Sequence, residues 1–288
     1  MPPVAPLTEK AHAKVNLTLR VVGRRADGYH ELESLVAFAG VADTLTLRPA
    51  EDVRLDVGGP FAAAIGPSED NLVLKAVAAL RSRVSGLKAG HFHLDKRIPV
   101  AGGVGGGSAD AAAAFRLLAA ANGIALGDTR LAEAALTVGA DVPVCLESKP
   151  RMMRGIGELL SPPIALPKLA AVLVNPRVAL ATKDVFGAFA GSAFAEEDRA
   201  EVPRDHAALI RYLEHHGNDL TAAAIVCAPV VGEVLDALGE LADVRLARMS
   251  GSGPTCFALF DTAAAAASAA KELEAAYPGW WVHSGTIG

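Results

Sequence analysis

The amino-acid sequence predicts a two-domain α+β protein, and three observations carry that prediction. Strand-like and helix-like segments alternate along the chain, with hairpin signals between several of them. The 288 residues can form one large domain or two moderate ones. Prolines accumulate between residues 149 and 167, as is typical of a domain boundary. We therefore expect domains over residues 1–160 and 161–288, with the last strand able to return to the first domain.

The first predicted strand covers residues 11–20, where apolar and polar side chains alternate. Its polar face holds His12, Lys14, Asn16, Thr18 and Arg20. The pair Asp27-Gly28 then signals a turn. The segments LVAFAGV, DTLTLRP and VRLDV are expected to form further strands, and the periodicity of residues 71–85 predicts a helix that stops at Gly86.

The segment PVAGGVGGGSAD, at residues 99–110, is the most informative part of the chain. Its glycines allow backbone N–H groups to approach an anion closely and allow positive φ angles that other residues avoid. Ser108 then opens an alanine-rich run, which predicts a helix ending at Asn122-Gly123. A helix N-terminus directs unsatisfied N–H groups and its positive dipole end at one point. The pattern therefore predicts a phosphate-binding loop.

Three other interpretations fit this loop less well. A Walker A loop ends in Gly-Lys-Ser/Thr, and this loop contains no lysine. The dinucleotide fingerprint fits the glycine spacing loosely, but Asp128, where an acidic residue should close a strand, lies in a turn-like stretch. A flexible linker would seldom join an apolar strand directly to a capped helix.

The second half of the chain continues the mixture of strands and helices. The helical pattern TRLAEAALTVGA ends at Gly139, and KLAAVLVNP is expected to be a buried strand. Residues 181–242 are mostly helical in pattern, and a helix near residues 262–276 leads into the final strand WWVHSGTIG. A second glycine loop, Met249–Pro254, lies between two strand-like segments. Two roles remain open for it: bracing the phosphate loop, or closing on a substrate.

Composition and charge exclude several classes of protein. The 27 basic and 32 acidic residues give a net charge of −5, so nucleic acid is not an expected partner and phosphate binding should be local. No apolar run is long enough to span a bilayer and no signal-peptide core is evident, so we expect a cytoplasmic protein without membrane contact. Cys145, Cys227 and Cys256 are expected to be buried, without disulfide or metal-site spacing. His91 and His93 share a strand face without a clustered third ligand, so we expect no metal-binding residues.

Three separated motifs resemble one enzyme superfamily. The strand AKVNLTL, the loop Pro-x-x-x-Gly-x-Gly-Gly-Gly-Ser and the segment SGSGPTCFALF are similar to the signatures of the galactokinase, homoserine kinase, mevalonate kinase and phosphomevalonate kinase (GHMP) superfamily. The motifs GRRADGYHEL, GADVPVCL and GNDL resemble one branch of it, and the resemblance covers nearly the whole chain in order. It implies an N-terminal domain like domain 2 of ribosomal protein S5, a ferredoxin-like C-terminal domain, and an active site between them.

The resemblance also implies a reaction. In that branch, ATP phosphorylates the 2-hydroxyl of a cytidine-diphosphate-linked methylerythritol in isoprenoid precursor synthesis. Mg²⁺ is expected to arrive with ATP, its protein ligands unassigned, and no obligatory protein partner is expected. Asp141 lies at the position of the catalytic aspartate, where a carboxylate can accept the hydroxyl proton. Lys14 lies at the position of the catalytic lysine, where an ammonium can keep Asp141 ionised and stabilise the transferred phosphoryl group. We expect both in an open cleft.

The binding residues follow from the same resemblance. On the acceptor side, Tyr29 and His30 are expected around the cytosine, and Phe186 is expected to close an aromatic sandwich. The acceptor-binding residues are expected to be Asn16, Tyr29, His30, Thr182 and Phe186. On the nucleotide side, Asn71 borders the adenine or only caps its helix. The ATP-binding residues are expected to be Asn71, Leu72, Lys96, Pro99, Val100, Ala101, Gly102, Gly103, Val104, Gly105, Gly106, Gly107, Ser108 and Ala109.

The sequence departs from the family at two positions. Ala109 stands where many members have a second serine, so one hydroxyl is missing from a cradle that rests chiefly on backbone amides. Gly187 follows the aromatic Phe186, where the family often has a basic residue. Two alternative functions remain: a kinase for another GHMP acceptor such as homoserine or mevalonate, against which GYHEL and Phe186 argue, and a noncatalytic nucleotide-binding protein, against which Lys14 and Asp141 argue.

Overall fold

The structure is a computed structural model that describes residues 5–66, 70–190 and 201–288. The chain divides into two compact units, neither of them continuous in sequence. Unit 1 comprises residues 1–13, 41–100 and 105–148, and unit 2 comprises residues 14–40, 101–104 and 149–288. The predicted boundary near residue 160 divides the chain by sequence alone and stays a prediction.

Strands and helices alternate as expected for an α+β chain. The strands are β1 (Leu7–Asn16), β2 (Arg20–Arg24), β3 (His30–Ala50), β4 (Arg54–Gly58), β5 (Ala89–Asp95), β6 (Arg151–Gly155), β7 (Leu159–Leu160), β8 (Leu169–Asn175), β9 (Val244–Met249), β10 (Cys256–Phe260) and β11 (Trp281–Ile287). The helices are α1 (Leu72–Arg81), α2 (Gly106–Asn122), α3 (Thr129–Val138), α4 (Val142–Cys145), α5 (Thr182–Ala188), α6 (His206–His215), α7 (Thr221–Cys227), α8 (Val230–Gly239) and α9 (Ala263–Ala276), and Ala62–Ala64 forms a 3₁₀ turn.

Unit 1 is built around helix α2. Strand β5 pairs in parallel with β4 and antiparallel with the second half of β3. Helices α1 and α3 pack against α2 and against each other. Ten of the 17 residues of α2 are buried, because alanine leaves room for close neighbours on several sides of the helix. This packing fixes the helix that follows the phosphate loop.

Unit 2 contains the antiparallel strand order β11–β8–β10–β9. Every residue of β8 is buried, as its continuous apolar sequence predicts. The first part of β3 pairs with β2 and β6, and Ala39 pairs with Ile287 of the last strand. The core of this unit gathers aliphatic side chains from β8 and β10 and from α7, α8 and α9.

Several sequence predictions need correction. The two strands expected from LVAFAGV and DTLTLRP are one strand of 21 residues, because Gly40 continues it rather than breaking it. Helix α1 ends at Arg81 instead of near residue 85, and α2 begins at Gly106, before Ser108. Of the cysteines, Cys145 and Cys256 are buried, but Cys227 is exposed, because it ends the short helix α7. The helical pattern of residues 191–200 lies outside the described residues.

Candidate active site

Residues 101–104 of the phosphate loop lie in unit 2. Hydrogen bonds from neighbouring N–H groups to the carbonyls of this segment hold it in place. Gly103 has a φ angle of 71°, which glycine adopts readily. The N–H of Lys14 donates to the carbonyl of Val104 at 2.9 Å, and the N–H of Thr255 donates to the carbonyl of Gly102 at 3.1 Å. These bonds fix the loop without using its own N–H groups, which are the groups that bind phosphate.

The second glycine loop, residues 250–254, packs against this segment. A Cβ added to Gly103 would lie 2.3 Å from the carbonyl oxygen of Gly253 and 2.9 Å from that of Ser250. The hydroxyl of Ser250 donates to the carbonyl of Gly103 at 3.2 Å. These contacts show that the second loop braces the first, whereas its other open role, closing on a substrate, stays a prediction.

The rest of the phosphate loop opens helix α2 in unit 1. Gly105, at a φ of 60°, is the N-cap residue, and the helix begins at Gly106. In the described part of the chain no side chain makes a capping bond there, so the first-turn N–H groups are left for an anion. Ser108 is half-buried in this turn, and Ala109 is buried.

The predicted adenine residues lie beside this turn. Asn71 caps α1 by accepting a hydrogen bond from the N–H of Val73 at 2.9 Å, so its alternative role as a helix cap is confirmed. Leu72 lies next to Gly107, whose added Cβ would be 3.3 Å from Leu72 Cδ1. The adenine contact of both residues stays a prediction.

Lys96 is buried rather than extended towards solvent. Its ammonium donates to Asp43 Oδ2 and, at 2.7 Å, to Asp110 Oδ2. Burial alone would lower the pKa of Lys96, but the two carboxylates outweigh it and raise that pKa, so the ammonium stays charged. The direct nucleotide contact predicted for Lys96 stays a prediction.

Lys14 and Asn16 lie on β1, on the face that the sequence predicts to be polar. That face is buried here, with exposures of 4% for Lys14 and 1% for Asn16, so the open cleft expected for Lys14 is wrong. The amide Nδ2 of Asn16 donates to Ser34 Oγ at 2.7 Å. Its Oδ1 is buried without a hydrogen-bond partner among the described residues. A buried acceptor of this kind is costly unless a ligand supplies the donor.

Asp141 precedes helix α4 at its N-cap position. Its side chain makes no capping bond to that helix. The residue is half-buried. Pro143 at the start of the helix fixes the backbone that follows it.

Two of the predicted cytosine residues, His30 and Phe186, meet in unit 2. The rings of His30 and Phe186 are stacked, with centroids 5.1 Å apart and planes at 21°, and Phe189 lies edge-on to His30. Phe186 therefore stacks on His30 in this structure, and the sandwich of a base between the rings of Tyr29 and Phe186 stays a prediction. Burial, and then the charge of Arg24, lower the pKa of His30, so its imidazole is neutral at pH 7. Tyr29 is 63% exposed.

Two residues of the GNDL motif, to which the sequence assigned no role, hold backbone segments of unit 2 in place. Asn218 donates from Nδ2 to the carbonyls of Met249 and Gly251, both at 2.8 Å, and thereby holds the brace. Asp219 accepts from the N–H of Val21 at 2.8 Å. The hydroxyl of Thr182, which is predicted to bind the acceptor, lies 3.0 Å from the hydroxyl of Ser252.

The described residues form neither a metal-binding cluster nor a membrane-spanning helix. Within residues 5–66, 70–190 and 201–288, no three His, Cys, Asp or Glu side chains are grouped so that they could hold a metal ion. The ring of His91 is paired with Asp52 at 2.8 Å. None of the helices that the structure describes is both long and apolar enough to cross a bilayer.

Comparison with known proteins gives a consistent result. Sequence profiles of the GHMP kinases N-terminal and C-terminal domains match residues 71–149 and 192–279. The chain is 55% identical over 295 residues to a 4-diphosphocytidyl-2-C-methyl-D-erythritol kinase of Rhodopseudomonas palustris strain BisB18, covering 99% of this chain and 96% of the relative. It is 53% identical over 297 residues to a protein of the same name from Bradyrhizobium diazoefficiens, covering both chains fully.

Solved structures agree with the sequence relatives. A crystal structure of 4-(cytidine 5'-diphospho)-2C-methyl-D-erythritol kinase matches with a TM-score of 0.79 and 34% identity, covering 98% of this chain and 99% of the other. Homoserine kinase from Cytophaga hutchinsonii matches with a TM-score of 0.71 and 19% identity, covering 98% of this chain and 95% of the other. At that identity the match shows only that the two proteins share a fold. The α+β, two-domain architecture predicted from the sequence is thereby confirmed.

Proposed function

The chain belongs to the GHMP kinase family, in the branch of the 4-diphosphocytidyl-2-C-methyl-D-erythritol kinases, and from this premise we propose how its residues act. The enzyme phosphorylates 4-(cytidine 5'-diphospho)-2-C-methyl-D-erythritol with ATP in the methylerythritol phosphate pathway. We propose the 2-hydroxyl as the acceptor. The observation that supports ATP use most directly is the pair of glycine loops, whose carbonyls are engaged while the N–H groups at the start of α2 have no side-chain cap.

Phosphoryl transfer depends on positioning and on stabilising charge. In our proposal the N–H groups of the phosphate loop bind the ATP phosphates, and Mg²⁺ enters with the nucleotide, neutralising charge on its phosphates. Asp141 accepts the proton of the attacking hydroxyl. Lys14 supplies positive charge to the transferred phosphoryl group. The unpartnered Oδ1 of Asn16 accepts a hydrogen bond from the acceptor molecule.

We propose that the cytosine is recognised by Tyr29 together with the stacked pair His30 and Phe186. A neutral imidazole can both donate and accept, which suits it to the edge of a pyrimidine. Phe186 holds that ring by stacking on it. Thr182 is proposed to bind the substrate diphosphate. A cytoplasmic location, and the absence of nucleic-acid, membrane and obligatory protein partners, stay predictions.

Replacing Phe186 with alanine tests this recognition. We expect the KM for the cytidine substrate to rise about twofold to tenfold, because Phe186 positions the His30 imidazole proposed to bond the cytosine, and one such hydrogen bond contributes about 0.5–1.5 kcal/mol. The KM for ATP should stay unchanged. Tyr277→Ala is the matched control, since it removes another stacked aromatic of unit 2, the ring partner of Trp280. Both constants are measured by ADP release, and an unchanged KM for the cytidine substrate would remove Phe186 from the proposal.

A further inference from the structure

A buried charge cluster, Asp43, Lys96 and Asp110, lies beneath the phosphate loop in unit 1. The side chains are 0%, 3% and 4% exposed, respectively. Asp43 Oδ1 also accepts from the N–H groups of Arg97 and, at 2.8 Å, Ile98. The cluster therefore ties together the middle of β3, the residues that lead into the loop, and helix α2.

The cluster reaches both ends of the loop. Residues 96–98, which Asp43 holds, lead directly into Pro99. At the other end, a Cβ added to Gly106 would lie 3.1 Å from Lys96 Nζ, and Asp110 follows one turn later in α2. The position of the first turn of α2 therefore depends on the contacts of Lys96.

The charges of the cluster do not balance. One ammonium faces two carboxylates, so the cluster carries a buried negative charge when both carboxylates are ionised. Burial raises the pKa of Asp110 to about 7, against the opposing effect of Lys96 and with a further contribution from Asp43. Asp110 Oδ1 has no hydrogen-bond partner in the described part of the chain, so the ionised carboxylate is only partly compensated.

Other charged groups near α2 are engaged elsewhere or point outward. On α1, Lys75 pairs with Asp70, and Arg81 is exposed. On α3, Arg130 pairs with Asp128 and Glu133 pairs with Arg83. On β5, His91 pairs with Asp52, Asp95 pairs with Arg97, and His93 is exposed. On α2 itself, Arg116 pairs with Glu9. The raised pKa of Asp110 therefore arises from burial and from Asp43, against the opposing effect of Lys96.

We propose that Asp43, Lys96 and Asp110 position the phosphate loop for ATP, and that ATP binding is coupled to proton uptake by this cluster. The inference rests on the proposed binding of ATP at the loop. Phosphate oxygens at the start of α2 are repelled by a negative cluster below the same turn, so the nucleotide favours the protonated form of Asp110. The affinity for ATP should therefore fall as the pH rises through neutrality.

Asp110→Asn is the variant that separates this role from simple packing. Asparagine keeps an acceptor for Lys96 and removes the charge that titrates. The wild-type KM for ATP should rise about threefold to tenfold between about pH 6 and about pH 8.5, whereas the variant should show little change. Asp52→Asn, which removes an exposed carboxylate of the same unit, should keep the wild-type profile. Parallel profiles for Asp110→Asn and wild type would overturn the proposal.

Calorimetry on the wild-type enzyme gives a test that needs no variant. Binding of ATP, with excess magnesium and without the acceptor, is measured near pH 7 in two buffers of different ionisation enthalpy. Because excess magnesium keeps the nucleotide ionised, proton uptake reports on the protein. We expect a net uptake of a fraction of a proton. ATP binding without proton uptake would overturn this inference, whereas absence of ATP binding would instead overturn the proposed function.

Discussion

Replacing Asp141 with asparagine is expected to lower kcat at least about 100-fold, the low end for a positioned acid–base group. The amide cannot accept the proton of the attacking hydroxyl, although it has nearly the same shape. Folding should change little, because the side chain of Asp141 is half-buried and does not cap α4. The matched control is Asp205→Asn, which also changes an N-cap aspartate, at helix α6. Single-turnover rates within about threefold of wild type for Asp141→Asn would exclude it as the base.

Lys14→Met should cause a loss of similar size, because it removes the charge proposed to stabilise the transferred phosphoryl group. Methionine is chosen because Lys14 is buried, and alanine would also leave a cavity. Lys10→Met serves as the control, since Lys10 lies on the same strand and binds Thr44 at the surface. A variant of Lys14 that melts like wild type and retains its kcat would remove the lysine from the mechanism.

Replacing Gly103 with alanine is expected to raise the KM for ATP about 100-fold or more. An L-residue at a positive φ costs about 1–2 kcal/mol, and the added Cβ would lie only 2.3 Å from the carbonyl oxygen of Gly253. The two glycine loops must then separate, which displaces the N–H groups proposed to bind phosphate. Binding of ATP and the KM for ATP, measured together, report this displacement.

Gly123→Ala is the matched control for that variant. Gly123 ends helix α2 at a φ of 64°, and a Cβ there meets no atom within 4 Å. It therefore carries the same conformational cost without the clash, and ATP binding should be unchanged in the folded enzyme. Equal effects of the two variants on ATP binding would show that strain, rather than the packing of the loops, explains the loss.

The sequence predicted those parts of the fold that local patterns determine. Asn122-Gly123 ends α2 as expected, because a left-handed glycine is a local stop signal, and β8 is buried as its apolar run requires. The phosphate loop was identified from the conformational freedom of its glycines and from the helix predicted to follow them.

The remaining features depend on contacts between distant parts of the sequence. The alternation of apolar and polar residues in β1 predicts a polar face, but Lys14 and Asn16 on that face are buried. The hydroxyl that accepts a hydrogen bond from the N–H of Asn16 belongs to Ser250, which lies 234 residues away in the sequence. Gly40 continues β3 because strand pairing supports it on both sides, through Ala39 and Thr44. The cluster around Lys96 joins residues separated by 14 and 53 positions, so no local pattern could reveal it.

A panel of acceptors tests the central claim, that the enzyme phosphorylates a cytidine-diphosphate-linked sugar alcohol with ATP. ADP release is measured with 4-(cytidine 5'-diphospho)-2-C-methyl-D-erythritol, with the uncytidylylated methylerythritol phosphate, with homoserine and with mevalonate, each in the presence of magnesium. We expect turnover with the cytidylylated compound and none above background with the other three. Comparable turnover of homoserine, mevalonate or the uncytidylylated phosphate would contradict it.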